Sequence, residues 1–253
     1  MKRDTGVSSP EREVVSRYER APGGVRLGER FISTRLRNWM LDVGRWVLDV
    51  LPFILMPQLL IATKNAHKAQ EIRAILGGDW DVTDLNAHPE VPAPEETGAT
   101  FAENAAIKAV AASQLFPGFV LSDDSGLEVD ALGGAPGVIS ARFAGPHATD
   151  ADNRARLLRE LAAEAVRGKA RSARFRCVMC VARDGAVLGA FDGAVEGVII
   201  NHERGAGGFG YDSLFVPAGH CETFAQLSAD IKNRESHRAR ALAKAHEFLR
   251  GMT

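Results

Sequence analysis

The sequence predicts an α/β fold: an elongated mixed β-sheet with flanking helices, arranged as two lobes around a central cleft. Three observations predict it. From Leu59 onward, short apolar runs alternate with segments of helical spacing. Asp184-Gly185 joins two such runs in the manner of a tight hairpin, so some neighbours must be antiparallel. The chain has 253 residues, 45% hydrophobic and 25% charged, which is enough to bury a sizeable core. A net charge of -1 argues against a dedicated nucleic-acid binder, whose phosphate contacts require a strongly basic face.

The elements follow in order. Residues 59–63 form a compact apolar strand, 68–76 a helix, and 80–85 a second strand before the Pro-rich loop 87–98. A helix over 100–115 leads to the strand 119–121, which is expected to break into a turn at Ser125-Gly126. After the loop 133–137, Thr149 caps a helix running to about residue 166. Strands 173–183 and 186–192 flank the hairpin, further strands lie near 197–200 and 211–216, and a last helix spans 236–250.

Residues 1–56 read differently, with scattered arginines and no rhythm of turns and strands, and are expected to be an extension of the domain 57–253. The apolar stretch 39–56 is interrupted by Asp42, Arg45, Asp49 and Pro52, too short and too charged to span a bilayer, and no small-residue cleavage site follows it. An amphipathic helix over 34–51 fits, with an apolar face that suits packing on the main domain first, or on a partner or a membrane surface. Met56, directly before the first strand, also reads as a candidate biological start. Cys177, Cys180 and Cys221 are too few for a disulfide framework and suggest a reducing cytoplasm. Cys177 and Cys180 lie in a strand, so their sulfurs point to opposite faces as small core side chains rather than a metal motif.

Chemistry concentrates in five places. Asp123-Asp124-Ser125 puts two carboxylates and a hydroxyl at the end of an apolar strand, where a hard metal ion and a phosphate are met; taken alone it also fits an ordinary acidic turn. Thr63-Lys64-Asn65-Ala66-His67-Lys68 stands where the first strand enters the first helix, so free backbone N–H groups, a hydroxyl, an amide and lysines form a phosphate seat. Glu95-Glu96, with Lys108 on the next helix, can join the aspartates around Mg²⁺. Gly205, Gly207 and Gly210 have G-x-G-x-x-G spacing, but the following segment is strand-like and opens no helix, so a dinucleotide fingerprint is rejected. Phe209 there is placed to stack on a flat base, with Gly210, Tyr211 and Asp212 shaping the wall. Lys232, His237 and Arg238 sit around the start of the last helix; as exposed cations opposing its dipole they invite recognition of an anion or of a 6-keto purine edge.

Together, Thr63-x-Asn65-x-x-Lys68-x-x-Glu71, Glu95-Glu-Thr-Gly98 with Phe101-x-Glu-Asn-Ala105, Asp123-Asp-Ser-Gly126, Gly133-Gly-Ala-Pro-Gly137 with Ser140-Ala-Arg142, Gly207-Gly-Phe-Gly-Tyr-Asp212 and Ser236-His-Arg238 resemble the noncanonical purine NTP pyrophosphatases, the inosine/xanthosine triphosphate pyrophosphatases. The likeness spans about residues 57–250; Lys64 stands where such proteins often have glycine, and residues 1–56 have no counterpart. It implies Mg²⁺-dependent hydrolysis of ITP, dITP and XTP to the monophosphate and pyrophosphate, a nucleotide-pool cleaning activity, with a non-catalytic purine-nucleotide binder as the alternative. It further implies that Asp124 binds the metal and activates the attacking water, supported by Asp123, Glu95 and Glu96. Thr63, Asn65, Lys68 and Lys108 would hold the triphosphate, Phe209 the base, and Lys232, His237 and Arg238 the purine edge, in a cytoplasmic homodimer that engages neither nucleic acid nor membrane.

Overall fold

The computed structural model describes residues 56–92, 94–165 and 171–252. All but the last residue of the expected extension, including the helix over 34–51, lies outside the described residues.

The elements are β1 (Gln58–Ile61), α1 (Ala66–Leu76), β2 (Asp81–Asp84), α2 (Phe101–Ser113), β3 (Phe119–Val129), α3 (Asp150–Ala165), β4 (Ser172–Arg183), β5 (Ala186–Ile199), β6 (Phe215–Pro217), α4 (Ala229–Glu235) and α5 (His237–Arg250). They build one six-stranded sheet in the order β2-β1-β3-β4-β5-β6. β2, β1 and β3 run parallel, and β3 to β6 pair antiparallel, so the sheet is mixed. Its parallel part is buried on both faces, which is why Leu59, Leu60 and Ile61 are consecutively apolar.

β4 is the spine of the packing. Cys177, Met179 and Val181 enter the core beneath α1 and α5, while Val178, Cys180 and Ala182 enter the core beneath α2. The two sulfurs therefore lie on opposite faces, as a strand period of two requires. At the far end of the sheet, Leu127, Val129, Phe175, Phe215 and Phe224 pack with Leu157 and Leu161 of α3. The β4–β5 hairpin turns through Asp184 (φ 52) and Gly185 (φ 78), the positive pair that a two-residue type I′ turn needs. α2 begins with a reciprocal cap, Thr100 accepting from the Glu103 N–H while the Glu103 carboxylate accepts from the Thr100 N–H.

Three expectations change. β3 does not break at Ser125-Gly126 but continues to Val129 along β4. The strand near 197–200 is the end of β5, and the strand over 211–216 shrinks to β6 because 211–214 form a turn. α4 appears where the sequence shows no apolar period; it is seven residues long and Ser228 caps it by accepting from the Ile231 N–H. Among the described residues no helix is long and apolar enough to cross a membrane.

Candidate active site

β1 ends at Ile61, opposite Leu121, and a last backbone bond runs from the Ala62 N–H to the Leu121 carbonyl at 2.8 Å. Beyond that point β3 keeps β4 as its ladder partner on one side only. There Asp123 lies opposite Met179 and Asp124 opposite Val178. Successive strand side chains alternate, so the two carboxylates leave opposite faces of the sheet. The expectation that both project from a strand end toward one metal is corrected by this register.

Asp123 belongs to a buried network. Its carboxylate accepts from Lys68, from Arg238 Nε at 3.0 Å, from Ser125 Oγ at 3.0 Å and from the Cys177 thiol at 3.0 Å. Arg238 also donates to Glu71 at 2.5 Å and to Ser125 Oγ at 3.0 Å, and Lys232 bridges Glu71 at 2.7 Å and Asp212 at 2.5 Å. Burial alone would raise the Asp123 carboxyl, but the charges of Arg238 and Lys68 bring it well below the usual carboxylate range. Glu71 is likewise held low against burial by Arg238 and Lys232. Lys232, His237 and Arg238 were expected as exposed cations; all three are buried, because carboxylates arriving from α1, β3 and the glycine loop neutralise the two charged ones. His237 stacks on Phe175 with ring centroids 4.8 Å apart, and its Nδ1 is buried with no partner. Burial, then the charge of Arg238, keeps its imidazole well below the ordinary histidine range and hence neutral.

The Asp124 face is organised by Lys108 of α2. Its ammonium donates to Asp124 Oδ1 at 2.8 Å, to Glu96 Oε1 at 2.9 Å and to the Asp123 carbonyl at 2.7 Å. Asp124 Oδ2 is buried and has no partner. Burial raises the Asp124 carboxyl above its ordinary value despite the pull of Lys108, with Glu96 adding to the rise, whereas Glu96 ends below its ordinary value because Lys108 outweighs burial. Glu95 is exposed and takes no part in this network. Among the described residues no three His, Cys, Asp or Glu side chains converge as a metal cluster. The expected four-carboxylate set is thus reduced to Asp124 and Glu96. That pair still fits Mg²⁺, which takes one or two carboxylates and fills the rest of its sphere with water and phosphate oxygens; the orphaned Oδ2 of Asp124 is the atom such an ion would satisfy.

At the phosphate end, Asn65 proves to be the N-cap of α1: its Oδ1 accepts from the His67 and Lys68 N–H groups at 3.0 and 3.2 Å, and its own N–H donates to Thr63 Oγ1 at 3.1 Å. Two of the N–H groups expected to be free for phosphate are therefore taken by the cap. The lysines remain. Thr63, Lys64, Glu96 and Lys108 line one cavity. Asn65, Lys68, Ser125, Phe209, Tyr211, Asp212, Lys232, His237 and Arg238 line another, with Gly210 at its rim. Ala66 is exposed and serves as the first residue of the helix.

The glycine loop opens no helix and leads instead into a turn and β6, which settles the decoy spacing. Gly208, at φ 69, lies so close to the Asp212 carboxylate that any Cβ would collide with it. Asp212 accepts from the Phe209 N–H at 2.9 Å, Asp150 accepts from the Gly210 N–H at 2.7 Å, and Arg154 donates to the Gly210 carbonyl at 2.9 Å. Tyr211 is buried and donates its hydroxyl to the Ser140 carbonyl at 2.9 Å, a wall-forming role. Three participants had no assigned role in the sequence, Glu71, Asp150 and Arg142, whose guanidinium lies 3.5 Å from Glu96, and Cys177, expected as a plain core side chain, donates to Asp123. Glu71 and Arg142 stood in the motifs that carry the resemblance, Glu71 three residues beyond Lys68 on the same face of α1.

Comparison with known proteins places this geometry. The model of the Ham1 family matches residues 59–248. The dITP/XTP pyrophosphatase of Halalkalibacterium halodurans is 45% identical over 195 residues, covering 77% of this chain and 100% of that protein. That of Geobacillus kaustophilus is 47% identical over 193 residues, covering 76% and 94%. Among solved structures, a HAM1 protein from Coxiella burnetii aligns with a TM-score of 0.69 at 39% identity, and the Staphylococcus aureus Ham1 protein with 0.68 at 37%; each alignment covers 78% of this chain and 100% of the other.

Proposed function

From the premise that the chain belongs to the Ham1 family, we propose that it hydrolyses noncanonical purine nucleoside triphosphates, dITP, ITP and XTP, to the monophosphate and pyrophosphate. The observation that carries this reading is the buried, unpartnered Oδ2 of Asp124 beside Glu96 and Lys108, one strand's thickness from the network that ends at Phe209 and His237.

Asp124 and Glu96 would hold Mg²⁺, which when bound would neutralise phosphate charge and orient water for in-line attack on the α-phosphorus. The Asp124 carboxylate would also take up the proton of that water. Lys108 stays protonated, since Asp124 and Glu96 overcome the effect of burial, and can pass from the carboxylates to the triphosphate. Lys68 and Lys64 supply further charge at the mouth of α1. Phe209 would stack on the purine while neutral His237, beside Arg238 and Lys232, faces its edge. The buried donors of this pocket reject a base with mismatched groups, a discrimination that reaches roughly 10⁴-fold in polar sites.

The test is pyrophosphate release by purified protein from ITP, XTP and ATP, with and without Mg²⁺. Turnover of ITP and XTP that needs the metal, with little from ATP, is the expected result; equal turnover of ATP would refute the selectivity. The resemblance also carries a homodimer, which light scattering on the purified chain can check.

A further inference from the structure

His67 belongs to the phosphate-seat motif, yet its side chain does something else. The cap fixes its backbone N–H on Asn65, and its ring crosses to the glycine loop, where it lies nearly parallel to Phe209, with centroids 5.3 Å apart and planes 14° from each other. Phe209 is half-buried and its backbone is pinned by Asp212 and, through Gly210, by Asp150 and Arg154. Its ring meets Lys232, 4.7 Å from the centroid, and Arg238, 5.7 Å away. The cavity enclosed by Phe209, Phe175, Tyr211, His237 and Arg238 does not touch His67. Both cavities that His67 does line run along Gly207 and Gly208.

We propose that His67 is a positioning residue that backs Phe209, so that imidazole, phenyl ring and purine form a three-layer stack spanning α1 and the glycine loop. The proposal rests on the reading of the enclosed cavity as the base site. Near-parallel offset rings attract beyond their buried area, and a ring held from behind loses less freedom when the base arrives. His67 is exposed, so its replacement leaves the fold intact.

The experiment first requires the unmodified enzyme to turn over ITP, which secures the underlying reading independently. In that enzyme His67→Ala should raise KM for ITP by about 2- to 12-fold, the range of one aromatic pair, and His67→Phe should restore it. In a Phe209→Ala background the His67→Ala change should have no further effect. Calorimetric binding of inorganic tripolyphosphate, which has no base, should be the same for His67→Ala and the unmodified enzyme. An unchanged or lowered KM in His67→Ala, absence of rescue by Phe, or an equal loss of tripolyphosphate binding each overturns the stack, the last by making His67 a phosphate ligand.

Discussion

Asp123 and Asp124 are neighbours with opposite fates, and their substitutions should differ in kind. Asp124 ionises at a cost, because burial outweighs Lys108. A carboxyl with a raised folded value contributes stability below its ordinary value, near pH 4, and loses it as pH rises through the folded value. Asp124→Asn should therefore abolish pyrophosphate release while raising the Tm of metal-free protein at neutral pH, an advantage that calorimetry should see vanish below about pH 4. Asp123 reverses the sign. Held low by Arg238 and Lys68, it contributes stability above its ordinary value that is lost as pH falls through the folded one. Asp123→Ala leaves the buried Arg238 with Glu71 as its one carboxylate and should cost roughly 3 kcal/mol in denaturant unfolding. Residue types and their clustering were legible in the sequence; the division of labour was not, since adjacent carboxylates look alike until a strand register separates them.

Among the elements, β3 carries the clearest lesson. Ser125-Gly126 has turn chemistry, and the sequence reading ended the strand there. In the structure Gly126 is extended within β3, and the space its side chain would fill is occupied by the Gly137 carbonyl at 2.5 Å and by Ser140 Oγ. Ser140 Oγ in turn accepts from the Leu127 N–H at 2.9 Å and donates to the Gly137 carbonyl at 2.6 Å. The glycine answers a close approach by a distant segment rather than a turn. Gly126→Ala should cost about 1–3 kcal/mol, the scale of overpacking, measurable by urea unfolding. α1 and α2 were legible from the spacing of their apolar residues, whereas the caps Asn65 and Thr100, each meeting N–H groups within three residues, emerged in the structure. α4 escaped because seven largely polar residues show no period; its Lys232 is buried by partners from other elements.

Across the whole molecule, a chain of opposite charges runs Asp212, Lys232, Glu71, Arg238, Asp123, Lys68, linking the glycine loop, α4, α1, α5 and β3. Being buried, it is screened little by salt, so the Tm of the protein should change little between low and physiological ionic strength in a calorimetric scan. Leu55–Thr253 forms a compact unit by itself and the family match starts at Leu59. A chain begun at Met56 should therefore fold and release pyrophosphate from ITP, which circular dichroism and a turnover assay can check. The sequence by itself determined the mixed α/β class, the hairpin and the set of chemical groups, because each depends on residue types or on residues a few positions apart. Tertiary structure alone decided that Asp123 would spend its charge on Arg238, 115 residues away, leaving Asp124 with a free oxygen on the other face. Strand period fixes that two neighbours part, but which one meets an arginine depends on where the chain returns, and that is set by burial over the whole sheet.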